Sequence, residues 1–144
     1  MQDQRWLVYA LMSAVCAALV AILGRAGVKS VDANVGTMLR SVVMTLFLLA
    51  FITATRGWDK LPKLTSKPVL MLVLAGLSGA ASWLFYFNAL RRADVSHVAP
   101  IDKLSTVIAV VLAVVLLGER PTALNWAGVV LMLAGAYLVA VKPA

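Results

Sequence analysis

The chain has 144 residues, of which 62% are hydrophobic and only 13% charged, and a formal net charge of +7. That balance excludes a soluble globular domain, because apolar runs of roughly 18 or more residues read as membrane spans and leave no material for a separate soluble core. Nor does the charge imply nucleic acid: Arg56, Lys60, Lys63 and Lys67 crowd into one loop and the others scatter to the ends of apolar runs, as charges beside anionic headgroups do.

In chain order, five spans are predicted, over residues 6–24, 34–55, 68–90, 95–117 and 122–141. Each has about the length that crosses a hydrocarbon core of roughly 30 Å at 1.5 Å per residue. Backbone polar groups in lipid must be satisfied within helices or closed barrels, so the expected fold is an all-α bundle of five transmembrane helices in a single domain over residues 1–144. The first run continues through Ile22, past any plausible cleavage point, and is read as a retained span rather than a signal peptide. Its Cys16 is the chain's single cysteine, so neither an intramolecular disulfide nor a paired-cysteine metal site is expected. Gly24 and Gly27 are expected to end this helix, and Asp32 or Asn34 to cap the second by accepting orphan backbone N–H groups. Gly57 is the expected end of the second span, and Ser66-Lys67-Pro68 reads as a cap followed by a first-turn proline. In Gly118-Glu119-Arg120-Pro121-Thr122 the glycine stops span four and the proline restarts span five. All connections are short, so consecutive helices should be antiparallel neighbours.

Five spans put the termini on opposite faces. The N-terminal face carries Arg5, Arg56, Lys60, Lys63, Lys67 and Arg120, and the other carries Arg25, Lys29, Arg91, Arg92 and Lys142. With Arg40 and Lys103 set aside as intramembrane, the 13 basic residues divide six against five. Lys/Arg asymmetry is the main determinant of insertion direction, and here it nearly vanishes. Two readings stay open: the dense 56–67 loop fixes a cytoplasmic N-terminus in every copy, or the chain inserts both ways. Dual insertion would let two copies pair head-to-tail about an axis in the membrane plane, giving the inverted repeat of many transporters.

Asp102 and Lys103 stand side by side in the fourth apolar run, two residues beyond Pro100. Ionisable residues inside a span are costly and by default mark a functional site, and a helix break beside them resembles the discontinuous spans of transporters. Asp102 lies about 10 Å along its helix from Val95, Arg40 about 12 Å beyond Asp32, and Trp83 about 10 Å before Leu90, all measured from the same face. Tyr86, Asn88, Ser105 and Thr106 fall near the same layer. Arg40, Trp83, Tyr86, Asp102, Lys103 and Ser105 are therefore the candidate substrate-binding residues. One acid and two bases leave a surplus positive charge at that depth, suited to an anionic or carboxylate-bearing solute. The structural alternative makes Arg40 and Asp102 an ion pair between helices, with Lys103 snorkelling towards the headgroups. His97, the single histidine, lies near the start of span four and reads as a headgroup-level residue rather than a proton gate.

Helix packing has its own pattern. Gly128 and Gly135 lie one heptad apart in the last span with Leu131 and Met132 between them, and Gly76 and Gly79 give the third span a similar flat strip. Small residues let helices approach closely in lipid, so both strips are candidate helix-packing or dimer seams.

These residues carry a resemblance. Val98-Ala99-Pro100-Ile101-Asp102-Lys103-Leu104-Ser105, Leu116-Leu117-Gly118-Glu119-Arg120 and the Gly128/Gly135 helix resemble the closing part of an EamA-type domain, the repeat unit of the drug/metabolite transporter superfamily. Arg40 in Leu39-Arg40-Ser41, following the 24–29 connection, resembles the second-helix arginine of that unit. The resemblance covers essentially the whole chain and is most specific at the Gly-Glu-Arg turn. Most members carry two such repeats in opposite orientation, whereas this chain has one and looks like the short five-helix branch. The resemblance implies a transporter of small metabolites or drugs and favours pairing of two copies. The last helix is also similar to the dimerising helix of the small multidrug resistance proteins, but span one has no acid to match their key glutamate. Their proton-coupled export of lipophilic cations is accordingly not expected.

The combined expectation is a multi-pass plasma (inner) membrane protein, surrounded by lipid. It would act as a homodimeric secondary transporter by alternating access, exporting a small solute, with no cofactor and no metal. The alternative is a non-transporting membrane subunit that pairs with another membrane protein. No Ser/His/Asp, Cys/His or metal-ligand constellation is assembled, so an enzyme is not expected.

Overall fold

The computed structural model describes residues 5–140. Val141, assigned to the end of the last span, and Lys142, counted among the flanking charges, lie outside the described residues. The helices are α1 (Arg5–Val28), α2 (Ala33–Ala54), α3 (Ser66–Arg92), α4 (Val95–Asp102), α5 (Leu104–Leu117) and α6 (Ala123–Ala140), with a short 3-10 helix at Gly57–Lys63. The described residues contain no strand. Together α4 and α5 form the span Val95–Leu117, which with α1, α2, α3 and α6 makes five helices among the described residues that are long and apolar enough to cross a membrane.

Local chemistry sets most of the helix ends. Asp32 caps α2, its carboxylate accepting from the N–H groups of Asn34 at 2.9 Å and Val35 at 3.3 Å, which satisfies two donors that the first turn leaves open. Gly118 ends α5 in the left-handed region at φ 70°, and the N–H of the next residue, Glu119, donates back to Ala113 O at 3.2 Å. Thr122 and Asn125 then start α6 by reciprocal bonds: the Thr122 N–H donates to Asn125 Oδ1 at 2.9 Å, and the Asn125 N–H to Thr122 Oγ1 at 3.3 Å. This is a capping box with asparagine in the usual Glu/Gln place. At α3 the cap falls on Thr65, one residue before the expected Ser66, since the Val69 N–H donates to Thr65 O.

Three glycines behave differently from the sequence expectation. Gly24 and Gly27 lie inside α1, which runs on to Val28. A glycine inside a helix costs only ~1 kcal/mol relative to alanine in water, and in lipid a break would strand unsatisfied backbone groups. Gly24 is explained by packing: a Cβ there would lie 3.0 Å from Phe87 Cε1 and 3.1 Å from Phe87 Cζ. At the end of α2, the residue that turns left-handed is Arg56, at φ 51°, not Gly57. Gly57 is needed for space, because a Cβ there would fall 2.6 Å from Ile52 Cγ1.

The chain forms two compact units, Met1–Ala21 with Ala93–Ala144, and Ile22–Arg92. In the Ile22–Arg92 unit α2 lies along α3, and Val28, Ala33, Phe87 and Leu90 are buried. Thr37 is buried with them and satisfies its hydroxyl by donating to Ala33 O at 2.8 Å. In the other unit α6 packs along α4 and α5 and buries Ala136. Most other apolar side chains point outward, Leu131 at 73% and Leu124 at 83% exposure among them. Lipid tails are as apolar as leucine, so such outward leucines carry no cost in a bilayer.

Candidate functional site

The Ile22–Arg92 unit contains an intramembrane arginine held by rings. Arg40 is the eighth residue of α2, about 10 Å along the helix axis from its start. Its guanidinium carbon lies 3.6 Å above the centre of the Trp83 ring. Such cation–π contacts are worth ~0.5–1 kcal/mol when exposed and about 2 when desolvated. Trp83 is itself fixed edge-on by Tyr86 at 5.5 Å and by Phe87 at 5.7 Å between centroids. The 3.6-residue helical period puts positions 83, 86 and 87 on one face of α3, turned towards α2. Three of the sequence candidates, Arg40, Trp83 and Tyr86, are thus brought together. Within its unit Arg40 makes no hydrogen bond or ion pair with a described residue.

Phe87 is the residue that sequence reasoning missed. It is 4% exposed, backs the Trp83 ring, and occupies the space left by Gly24, while Gly36 lies in ordinary contact range, a Cβ added there falling 3.8 Å from Phe87 Cδ2. The i, i+4 relation of Trp83 to Phe87 was visible, but the matching glycine, Gly24, sits on another helix.

Beyond this layer, at the membrane face, a polar clamp joins the ends of the helices. Arg91 donates to Asp32 Oδ2 at 2.9 Å, Asn88 donates to Asn34 Oδ1 at 3.0 Å, and the Arg25 guanidinium donates to Leu90 O. The backbone N–H groups of Asn34 and Val35, with the Arg91 charge in support, hold the Asp32 carboxyl below the usual carboxylate range. The clamp sits where three helices end and is structural in character.

The other unit contains the broken span. Pro100 lies inside α4 and cannot donate to the preceding turn. The helix closes at Asp102, passes through Lys103, and restarts at Leu104. The Lys103 ammonium lies 3.5 Å from Asp102 Oδ2, with the two side chains 58% and 34% exposed. The break explains why both signs occur together. Lys103 stands at the negative, C-terminal end of α4, and Asp102 at the positive, N-terminal end of α5. Ser105 follows in the first turn of α5 and is accessible. Arg40 and Asp102, paired in the structural alternative, belong to different units, and each has a partner inside its own.

The packing strips are open. A Cβ added at Gly76, Gly79, Gly128 or Gly135 would meet nothing within 4 Å, and Leu131 and Met132 are exposed. His97 lies 3.4 Å from the Ser96 hydroxyl through Nδ1. Among the described residues no group of three or more His, Cys, Asp or Glu could hold a metal ion.

Comparison with known proteins gives two matches of different kinds. The model of the EamA-like transporter family matches residues 4–141. A curated protein from a Sinorhizobium species, described as an uncharacterized transporter in the cobO 3′ region, is 41% identical over 139 residues. That alignment takes in 96% of this chain and 99% of the relative. No solved structure matches the chain.

Proposed function

The chain belongs to the EamA-like transporter family, and from that premise we propose a secondary transporter that exports a small anionic or carboxylate-bearing solute across the plasma (inner) membrane. The observation that carries this reading is Arg40, a cation one-third of the way along a span whose neighbour is an aromatic ring rather than an acid. A structural arginine in lipid would be expected to pair with a carboxylate or with carbonyl groups. Asp102 and Lys103 at the break in the fourth span support the same reading, because discontinuous spans recur at transporter solute sites. In the Ile22–Arg92 unit Arg40 attracts the solute, with Trp83 and Tyr86 beside it. In the other unit Lys103 attracts it, Asp102 tunes Lys103 or relays a proton, and Ser105 offers its hydroxyl to it.

The working unit is a homodimer in which one five-span domain supplies each half, and alternating access arises from rocking of the halves. The open strips at Gly128/Gly135 and Gly76/Gly79 favour this over a monomer, since among the described residues no atom lies within 4 Å of a Cβ placed there. Purified protein in liposomes tests the proposal against the alternative of a non-transporting subunit. Unaided flux of a screened solute supports transport, and Lys103→Ala should abolish that flux while insertion and dimerisation persist. Full flux in Lys103→Ala removes that residue from the mechanism, and no flux across a broad screen favours the subunit.

A further inference from the structure

We infer that the Arg40–Trp83 stack is the recognition point for a single carboxylate group of the solute, with Trp83 as the residue that positions the guanidinium. The inference rests on the solute-transport reading and specifies its chemistry.

At 3.6 Å from the ring centre, the guanidinium has room only to lie flat. An edge-on group would bring a nitrogen up to about 1.3 Å nearer the ring, well inside van der Waals contact. A flat guanidinium directs its N–H donors outward in one plane, past the ring edge. That plane is the fork that meets the two oxygens of a carboxylate through parallel hydrogen bonds. No described residue of the unit accepts from these donors, although a charged group at this depth demands compensation. The acid of the same unit that could have served, Asp32, is engaged by Arg91 and by the α2 backbone.

The rings account for how the arginine persists without an acid. Tyr86 and Phe87 meet Trp83 edge-on at interplanar angles of 89° and 87°, so the indole has two fixed supports and its free face is set towards α2. The ring attracts the cation without consuming its hydrogen-bonding capacity. An acid in that place would have blocked the fork. Charge then selects the class of ligand. Arg40 brings one positive charge to the stack, so a monoanion is matched there and a dianion is left with an uncompensated charge. A monocarboxylate fits better than a phosphate on both shape and charge.

The test is a fluorescence titration of the protein in lipid nanodiscs, with Trp83 left as the single tryptophan by Trp6→Phe, Trp58→Phe and Trp126→Phe. The probes are the straight-chain carboxylates from acetate to hexanoate, their primary amides, and inorganic phosphate. The expected result is a saturable change in Trp83 emission with the carboxylates, none with the amides, and at least ~10-fold weaker binding of phosphate, equivalent to about 1.4 kcal/mol. Arg40→Gln should abolish the carboxylate response, and Arg40→Lys should weaken it by roughly tenfold through loss of the planar fork. Calorimetric titration of the otherwise unmodified chain, with and without Arg40→Gln, serves if the triple-Phe form does not fold. Trp83→Phe should keep a weakened preference for carboxylate over amide, whereas Trp83→Leu should erase that preference at an unchanged unfolding temperature. Equal responses to acids and amides, no saturable response in a natively folded protein, or indifference to Arg40→Gln would overturn the inference. Carboxylate binding without any flux would count against transport and leave the stack standing. Flux of a solute lacking a carboxylate, unaffected by Arg40→Gln, would do the reverse.

Discussion

Gly24 and Phe87 show how a residue's meaning depends on what faces it. From the sequence Gly24 reads as a helix stop, whereas in the fold it is the gap that receives the Phe87 ring backing Trp83. Gly24→Val should therefore destabilise the protein by about 1–3 kcal/mol through overpacking. Gly27→Val should cost less, because a Cβ there meets nothing within 4 Å. Denaturant unfolding of the two variants in one detergent would check the difference, and equal losses would argue against the Phe87 contact. Asp32 makes a second residue-scale prediction. Its folded-state pKa is lowered by the Asn34 and Val35 N–H groups and by Arg91, so its contribution is fully present above the unfolded carboxyl value of about 3.9. It is lost as pH falls through the lower folded value. Unfolding temperature should thus hold from neutral pH to about pH 5 and fall below pH 4. Asp32→Asn, which can still accept at the cap, should remove part of that fall, as an acid titration of both proteins would reveal.

The fourth span is the element whose form matters most to the proposed function. Proline at position 100 removes one donor from the ladder inside α4, and the helix is interrupted at Lys103 before α5 begins. Pro100→Ala restores that donor and should join α4 to α5 as one continuous helix. Asp102 and Lys103 would then lose the favourable ends of two short helices and sit at mid-helix. Protein level and insertion should be little changed, while solute flux in liposomes should fall several-fold. Undiminished flux in Pro100→Ala would detach the break from the transport cycle. The break was legible in the sequence because proline and paired charges both carry local signals. The left-handed Arg56 was not, because only the approach of Ile52 to Gly57 shows which residue had to turn.

On the scale of the whole molecule, an antiparallel pair requires both orientations to exist and the small-residue strips to be free. Six basic residues against five leave orientation nearly undetermined by charge. Reporter fusions at each terminus should detect both topologies, and a single topology in every copy would eliminate the antiparallel homodimer. Leucine at Gly128 and Gly135 adds bulk where no described residue lies within 4 Å of the added Cβ. The double variant should keep monomer helicity and unfolding temperature yet lose the dimer in crosslinking and mass measurements in mild detergent.

The sequence by itself determined the class, the five spans, a cap at Asp32 or Asn34, the Gly118 stop and the family, whose model matches residues 4–141. The class, the spans and the helix ends depend on local composition and on neighbours a few residues away, which hydropathy and capping rules read directly. The family was carried instead by the resemblance of residues 98–105, residues 116–120 and Arg40. Tertiary structure decided the environment of each intramembrane charge. Arg40 lies on the Trp83 ring and Lys103 beside Asp102, although depth arithmetic had made Arg40 and Asp102 equally eligible partners. Depth along a helix fixes one coordinate of a side chain. Its rotation about the axis, and so the face it meets, is set by packing such as that of Phe87 against Gly24, between residues 63 positions apart in the chain.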